Sequence, residues 1–294
     1  MTVKTPKHIL IGLDLSPADS ALLAWMRFYL EATERPAQIT LLHNIYIDVD
    51  WMESQGQAYR SSEVRRAIEA DLKEKISRAG WPEILLSRTR IHVVQNKSTV
   101  RAIQQHVKAE GIDTAIFGRK TYYAGRGGMF KNLLRSLKTL EQVLLVPESA
   151  PYLLQRLLIP VDFSESSLQL AQSAIDYCEV NEVEPIICHV YRLPQVYFPF
   201  IPLDKLSKNK AEEVEQTMAD FVAQIDSTLP ILTINQYAES QSVAEGIRMI
   251  AAQERADLIL MNLRTKSSLQ ETIIDDTLLQ LINSPADMPI WIKK

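Results

Sequence analysis

The sequence predicts an α/β protein made of two tandem doubly wound domains, each a five-stranded parallel sheet with helices on both faces. Three observations carry this. The chain has 294 residues, too many for one ordinary domain and comfortable for two of roughly 150. Short apolar runs rich in Ile, Leu and Val alternate with amphipathic stretches, and that alternation calls for βαβ units, a parallel sheet and right-handed crossovers. Finally, a strand-length apolar run that ends at an Asp and continues into a helix occurs twice, about 148 residues apart. The Asp residues are Asp14 and Asp162, each followed two positions later by a Ser, Ser16 or Ser164, of the type that caps a helix.

In the first half the strand-like runs are 8–14, 38–46, 88–95, 113–118 and 142–146. Helical spacing falls at 17–33, at 61–79, where Glu69 and Lys73 form an i,i+4 pair, at 100–109 and near 129–140. The second half repeats this order, with strands at 156–162, 184–191, 231–237, 257–262 and 288–292 and helices at 165–180, 208–225, 243–253 and 269–281. Equivalent positions match: His43 with His189 late in each second strand, Asp113 with Asp257 at each fourth. A duplicated domain follows, with units at 1–149 and 153–294 and a short connection bracketed by Pro147 and Pro151 that packs the units together.

Composition excludes several classes. No apolar run approaches the ~18 residues of a membrane span, no signal-peptide core precedes the first strand, and a cytoplasmic protein is expected. Cys178 and Cys188 are too few for a disulfide framework and read as reduced packing thiols. The net charge of -4 combines about +5 in residues 1–150 with about -9 in 151–294. Neither value argues for nucleic-acid binding. Two long connections follow the second strands, where a doubly wound sheet places ligand-facing loops. One is 47–60, with Trp51 and Tyr59; the other, 192–206, contains the apolar run 196–202, either a lid over its own domain or a protein-partner surface.

The runs Leu-Leu-Ile-Pro-Val-Asp-Phe-Ser at 157–164, Cys188-His189-Val190, Ala-Asp-Leu-Ile-Leu-Met at 256–261 and Ser-Pro-Ala-Asp-Met-Pro-Ile-Trp-Ile at 284–292 make the second half resemble a universal stress protein domain. The first half is similar more loosely, through 9–16, Leu42-His43 and 113–118, so the whole chain resembles the tandem form of that family. The resemblance implies strand order 3-2-1-4-5 in each half and dimers joined through the fifth strand. A tandem chain would then form an intramolecular pseudo-dimer, with a further homodimer open. It also implies a role in stress survival, and in many members ATP binding through a G-x2-G-x9-G-[ST] segment, with the Asp after the first strand facing the adenine or ribose edge.

In the second half that segment has lost every glycine, and Asp275-Asp276 stands where phosphate would sit. Two carboxylates there repel a triphosphate by several kcal/mol, so the copy reads as inactive toward ATP, with a Mg²⁺-dependent use of the pair as the other reading. The first half keeps Gly118 and supplies Gly125, Gly127 and Gly128, whose backbone freedom suits anion cradling. Between Gly118 and Leu140 lie Arg119, Lys120, Arg126, Lys131, Arg135 and Lys138 with no acidic residue. The candidate nucleotide site, for ATP or a related adenine nucleotide, is therefore Asp14, Leu15, Ser16, Gly118, Arg119, Gly125, Gly127, Gly128, Arg135 and Ser136; the other reading of the segment is a solvated surface loop.

No catalytic or metal residues are assigned. His43 and His189 read as core histidines satisfied by backbone, and Ser16 and Ser164 as caps, since no nucleophile elbow surrounds them. The function expected is a non-enzymatic stress-response regulator whose first domain takes an adenine nucleotide or other phosphate ligand. An interaction protein without nucleotide and a slow ATP-hydrolysing enzyme remain the alternatives.

Overall fold

The computed structural model describes residues 7–31, 38–46, 61–119, 140–193, 203–239, 241–263, 265–266, 271–272, 275–285 and 288–294. The first half runs β1 (His8–Leu13), α1 (Ala18–Glu31), β2 (Gln38–Ile45), α2 (Ser61–Arg78), α3 (Glu83–Leu86), β3 (Thr89–Gln95), α4 (Thr99–Glu110), β4 (Thr114–Arg119) and β5 (Gln142–Pro147). The second runs β6 (Arg156–Pro160), α5 (Glu165–Asn181), β7 (Glu184–Tyr191), α6 (Leu203–Val222), β8 (Leu232–Tyr237), α7 (Val243–Gln253) and β9 (Leu258–Asn262). It closes with the short β10 (Thr265–Lys266) and β11 (Glu271–Thr272), then α8 (Asp276–Asn283) and β12 (Ile290–Lys293).

Two details differ from the periodicity. The single turn α3 interrupts the connection before β3, and α8 begins seven residues later than the 269–281 pattern implies. Glu271–Thr272 pairs instead with Thr265–Lys266, and Asp275 adopts an extended conformation (φ -61, ψ 143) that starts the helix only after it. The helix expected near 129–140 lies outside the described residues, apart from Leu140.

One ten-stranded sheet runs β3-β2-β1-β4-β5-β12-β9-β6-β7-β8, so each half has the order 3-2-1-4-5. Every pairing in it is parallel except one. At the centre β5 and β12 run antiparallel, with Leu145 opposite Ile290 and Gln142 opposite Lys293. Equivalent strands meeting antiparallel relate the halves by a local twofold. The physical reason is that each strand is an apolar edge, and an open edge of that kind invites pairing. Every residue of β5 is buried, as are Ile290, Trp291 and Ile292.

Alternation along the strands divides the core into two layers, one on each sheet face. Ile9, Ile11, Leu41, Ile116 and Leu144 share a layer with Leu157, Ile159 and Trp291; Leu10, Leu42, Ala115 and Leu145 share the other with Leu158, Ile186 and Ile290. Both layers cross from one half into the other. Buried polar groups at the join are paired: Trp291 Nε1 donates to Gln142 Oε1 at 2.9 Å, and Gln142 Nε2 donates to Thr114 Oγ1 at 2.8 Å. Trp25 Nε1 donates to the Pro151 carbonyl at 2.8 Å, fastening the connection between halves to α1. Among the described residues no helix is long and apolar enough to cross a membrane.

Candidate functional site

The parallel order puts the carboxyl ends of β1 and β4 side by side, with Gly12 opposite Phe117, at the point where the strand order reverses. Asp14, Leu15 and Ser16 leave β1 at this edge, and Gly118 and Arg119 end β4 beside it. Gly12 is required there, because a Cβ would lie 2.6 Å from two ring carbons of Phe117. Gly118 is not: a Cβ on it would rest 3.7 Å from Leu22 Cδ2, an ordinary contact.

The turn after β1 is sharp. Leu15 has φ 65, a left-handed conformation that a side chain adopts only when its surroundings enforce it. Asp14 is exposed, and its Oδ1 accepts from the Ser16 N–H at 3.1 Å. Enforcement comes from Asp19, whose carboxylate accepts from the Leu15 N–H at 2.7 Å and the Asp14 N–H at 3.3 Å. Asp19 is 4% exposed; burial pushes its carboxyl up from the ordinary range, and Lys75 Nζ at 3.9 Å supplies partial compensation. Sequence reasoning passed over Asp19. Its signal was an acid in the first turn of α1, five residues after Asp14, where the second half has Ser167.

The second copy solves the same turn differently. Phe163 has φ 61, and Asp162 Oδ1 accepts from the Ser164 N–H at 3.1 Å, from Ser164 Oγ at 2.5 Å and from Ser167 Oγ. Ser164 caps α5, accepting from the Ser167 N–H at 3.2 Å, as expected of it. Ser16 does not repeat this. Its hydroxyl is buried and has no hydrogen-bond partner among the described residues: α1 starts two residues later, and the Asp19 N–H, the counterpart of the Ser167 N–H, donates to the Ser16 carbonyl at 3.1 Å.

The paired histidines are held by backbone in both halves: His43 Nδ1 donates to the Leu13 carbonyl at 3.0 Å and His189 Nδ1 to the Val161 carbonyl at 2.8 Å. Burial pushes the His189 imidazole below its ordinary pKa. Around it the second site is occupied by rings. Phe163 lies 4.2 Å from His189 and 5.6 Å from Phe221, and the Tyr191 ring stacks with His189 at 6.3 Å.

Arg119 requires correction as a phosphate ligand. It is 6% exposed, and its guanidinium donates to the Leu281 and Ser284 carbonyls, both at 2.5 Å, at the carboxyl end of α8. A cation is favoured where a helix ends in unpaired carbonyls, so this side chain belongs to the join between halves. Asp275 is placed at the other end of the same helix. Its carboxylate accepts from the Thr277 N–H at 2.6 Å, filling the α8 N-terminus with the protein's own anion. Gly125, Gly127, Gly128, Arg135 and Ser136, and the run 196–202, lie outside the described residues.

A grouping that sequence reasoning did not see lies on the outer strand of the first half. His92 of β3 meets His106 and Glu110 of α4 there, with candidate ligand atoms all within 4.8 Å of one another. The i,i+4 spacing of His106 and Glu110 was the only signal in the sequence.

Comparison with known proteins agrees with this architecture. Residues 154–290 match the model of the universal stress protein family. No curated protein sequence matches the chain. Among solved structures, a universal stress protein from Archaeoglobus fulgidus DSM 4304 is similar at TM-score 0.61 and 18% identity, over 98% of this chain and 98% of that one. A functionally unknown protein from Pseudomonas aeruginosa PAO1 is similar at TM-score 0.64 and 13% identity, over 99% of this chain and 93% of that one. At such identities the likeness speaks for the fold, which both halves share. The second half is thus a universal stress protein domain, and the first half repeats its topology, giving a two-domain layout.

Proposed function

We propose that this protein is a non-enzymatic stress-response regulator that holds an adenine nucleotide, or another phosphate-bearing ligand, in its first half alone. The observation that carries the reading is the asymmetry of the two switch points. In the second half Asp275 closes the N-terminus of α8, the place where dipole and free N–H groups would otherwise attract phosphate, and aromatic rings fill the turn after β6. The first half keeps an exposed Asp14 and a Ser16 hydroxyl whose partner is missing among the described residues. A buried hydroxyl without a partner costs roughly 1–3 kcal/mol, which a ligand's polar edge would offset. Asp14 and Ser16 would take the base or ribose side. In the sequence reading Gly125, Gly127, Gly128, Arg135 and Ser136 would take the phosphates, with Arg119 withdrawn from that set. The second half then serves as a structural copy that closes the sheet.

Calorimetric titration of the full chain with ATP, ADP and AMP, with and without Mg²⁺, tests this. Binding without phosphate release is expected, weakened several-fold by Asp14→Ala and by Arg135→Ala and unchanged by Asp162→Ala. Equal loss in the Asp162 variant, or silence from a folded chain, would overturn it. Phosphate release abolished by Asp14→Ala would favour a hydrolase instead.

A further inference from the structure

We infer that His92, His106 and Glu110 form a binding site for a single divalent transition cation of the zinc type, between the outer strand β3 and the helix α4 that follows it. Two consecutive elements build it. β3 is an outer strand of the sheet, and His92 projects from its middle, opposite Leu42 of β2. His106 and Glu110 stand one turn apart at the end of α4, which packs on the same face. Two imidazoles and a carboxylate are the three-ligand set that suits Zn²⁺ while leaving a fourth position for water.

The distances fit a shared ion better than a simple ion pair. His92 Nε2 lies 3.6 Å from Glu110 Oε1, too far for a hydrogen bond. Ligands each about 2.0–2.2 Å from a tetrahedral ion lie roughly 3.3–3.5 Å from one another. The two imidazole rings are 5.2 Å apart and nearly perpendicular, at 79°. Outer contacts orient the ligands as metal sites require. His106 Nδ1 donates to the Ala102 carbonyl at 3.2 Å, which directs the lone pair to Nε2. Thr40 Oγ1, fully buried, donates to Glu110 Oε2 at 2.9 Å, so Oε1 is the oxygen turned toward His92. His8 completes this outer layer, its Nε2 at 2.9 Å from Thr40 Oγ1 and its Nδ1 at 3.1 Å from the Glu110 carbonyl. Two of the three ligands sit on the last turns of α4, whose carbonyl end favours a cation. With side chains 33% exposed at His92 and 20% at Glu110, solvent ions reach the site without opening the fold.

The test uses the full chain, stripped with a chelator and titrated calorimetrically with ZnCl₂ and, in parallel, MgCl₂. The expected result is one Zn²⁺ per chain and no heat from Mg²⁺, a hard cation that prefers oxygen ligands. His92→Gln and His106→Gln should each weaken Zn²⁺ at least ten-fold. Co²⁺ should give the intense visible absorption of a tetrahedral site, lost in the double variant. If circular dichroism finds either histidine variant unfolded, Glu110→Gln provides the same comparison. Absence of Zn²⁺ binding by the folded wild type at micromolar concentration would overturn the inference, as would a folded double variant with unchanged stoichiometry and affinity.

Discussion

Arg119→Met separates two roles that a basic residue at the end of β4 could have. The substitution keeps most of the apolar stem and removes the guanidinium. In the wild type that group is buried and donates to two main-chain carbonyls of α8. A hydrogen bond to a charged group is worth about 1.5–3 kcal/mol, so losing two and leaving the helix end uncapped should cost roughly 3–5 kcal/mol. That lies at the high end for a single substitution. For a chain of this size each kcal/mol lowers Tm by about 2–4 °C, giving a drop of roughly 6–20 °C in scanning calorimetry. The loss should appear also as faster hydrogen exchange at the end of α8, because that is where the carbonyls lose their partner. Nucleotide affinity should not move. A Tm within about 2 °C of wild type combined with weakened nucleotide binding would refute this reasoning and return Arg119 to the phosphate set.

Three further outcomes follow from the same contacts. Gly12→Ala forces a methyl to within 2.6 Å of the Phe117 ring and should cost about 1–3 kcal/mol by urea denaturation; Phe117→Leu in the same chain should recover part of it. Asp162→Ala removes an acceptor for three donors and should cost about 2 kcal/mol, whereas Asp14→Ala removes an exposed carboxylate that accepts from the Ser16 N–H and should cost less than about 1; equal costs would contradict the different turn architectures. The folded-state pKa of His189 is depressed, chiefly by burial, so its contribution to stability is present above about pH 6.5 and is lost as pH falls toward the folded value. The gap in urea midpoint between wild type and His189→Gln should therefore narrow from pH 7.5 to 5.0, and a constant gap would remove His189 as the cause.

What the sequence determined by itself was the local and repeated part of the structure. The two strand-to-helix passages were legible because a buried strand must be continuously apolar and its exit needs a polar stop, and Asp14 and Asp162 are those stops. The meeting of β5 and β12 was legible through the family resemblance, which implies the order 3-2-1-4-5 and pairing through the fifth strand, and an apolar edge strand has to be covered. The loss of glycine in the second copy pointed toward the Asp275 end of α8 before its carboxylate was seen on the helix N-terminus. Tertiary structure decided the rest. Periodicity tells which face of an element a side chain leaves, but not what arrives to meet it. Arg119 was one cation among six in sequence, and only the joining of the halves brought it to carbonyls 162 and 165 residues away. Asp19 looked like an ordinary first-turn acid until the left-handed turn at Leu15 aimed two backbone N–H groups at it. His92 precedes His106 and Glu110 by 14 and 18 residues, and they become neighbours because α4 folds back over the sheet face that β2 and β3 share. A site made of side chains from separate elements is set by packing, and packing is settled by the whole core at once.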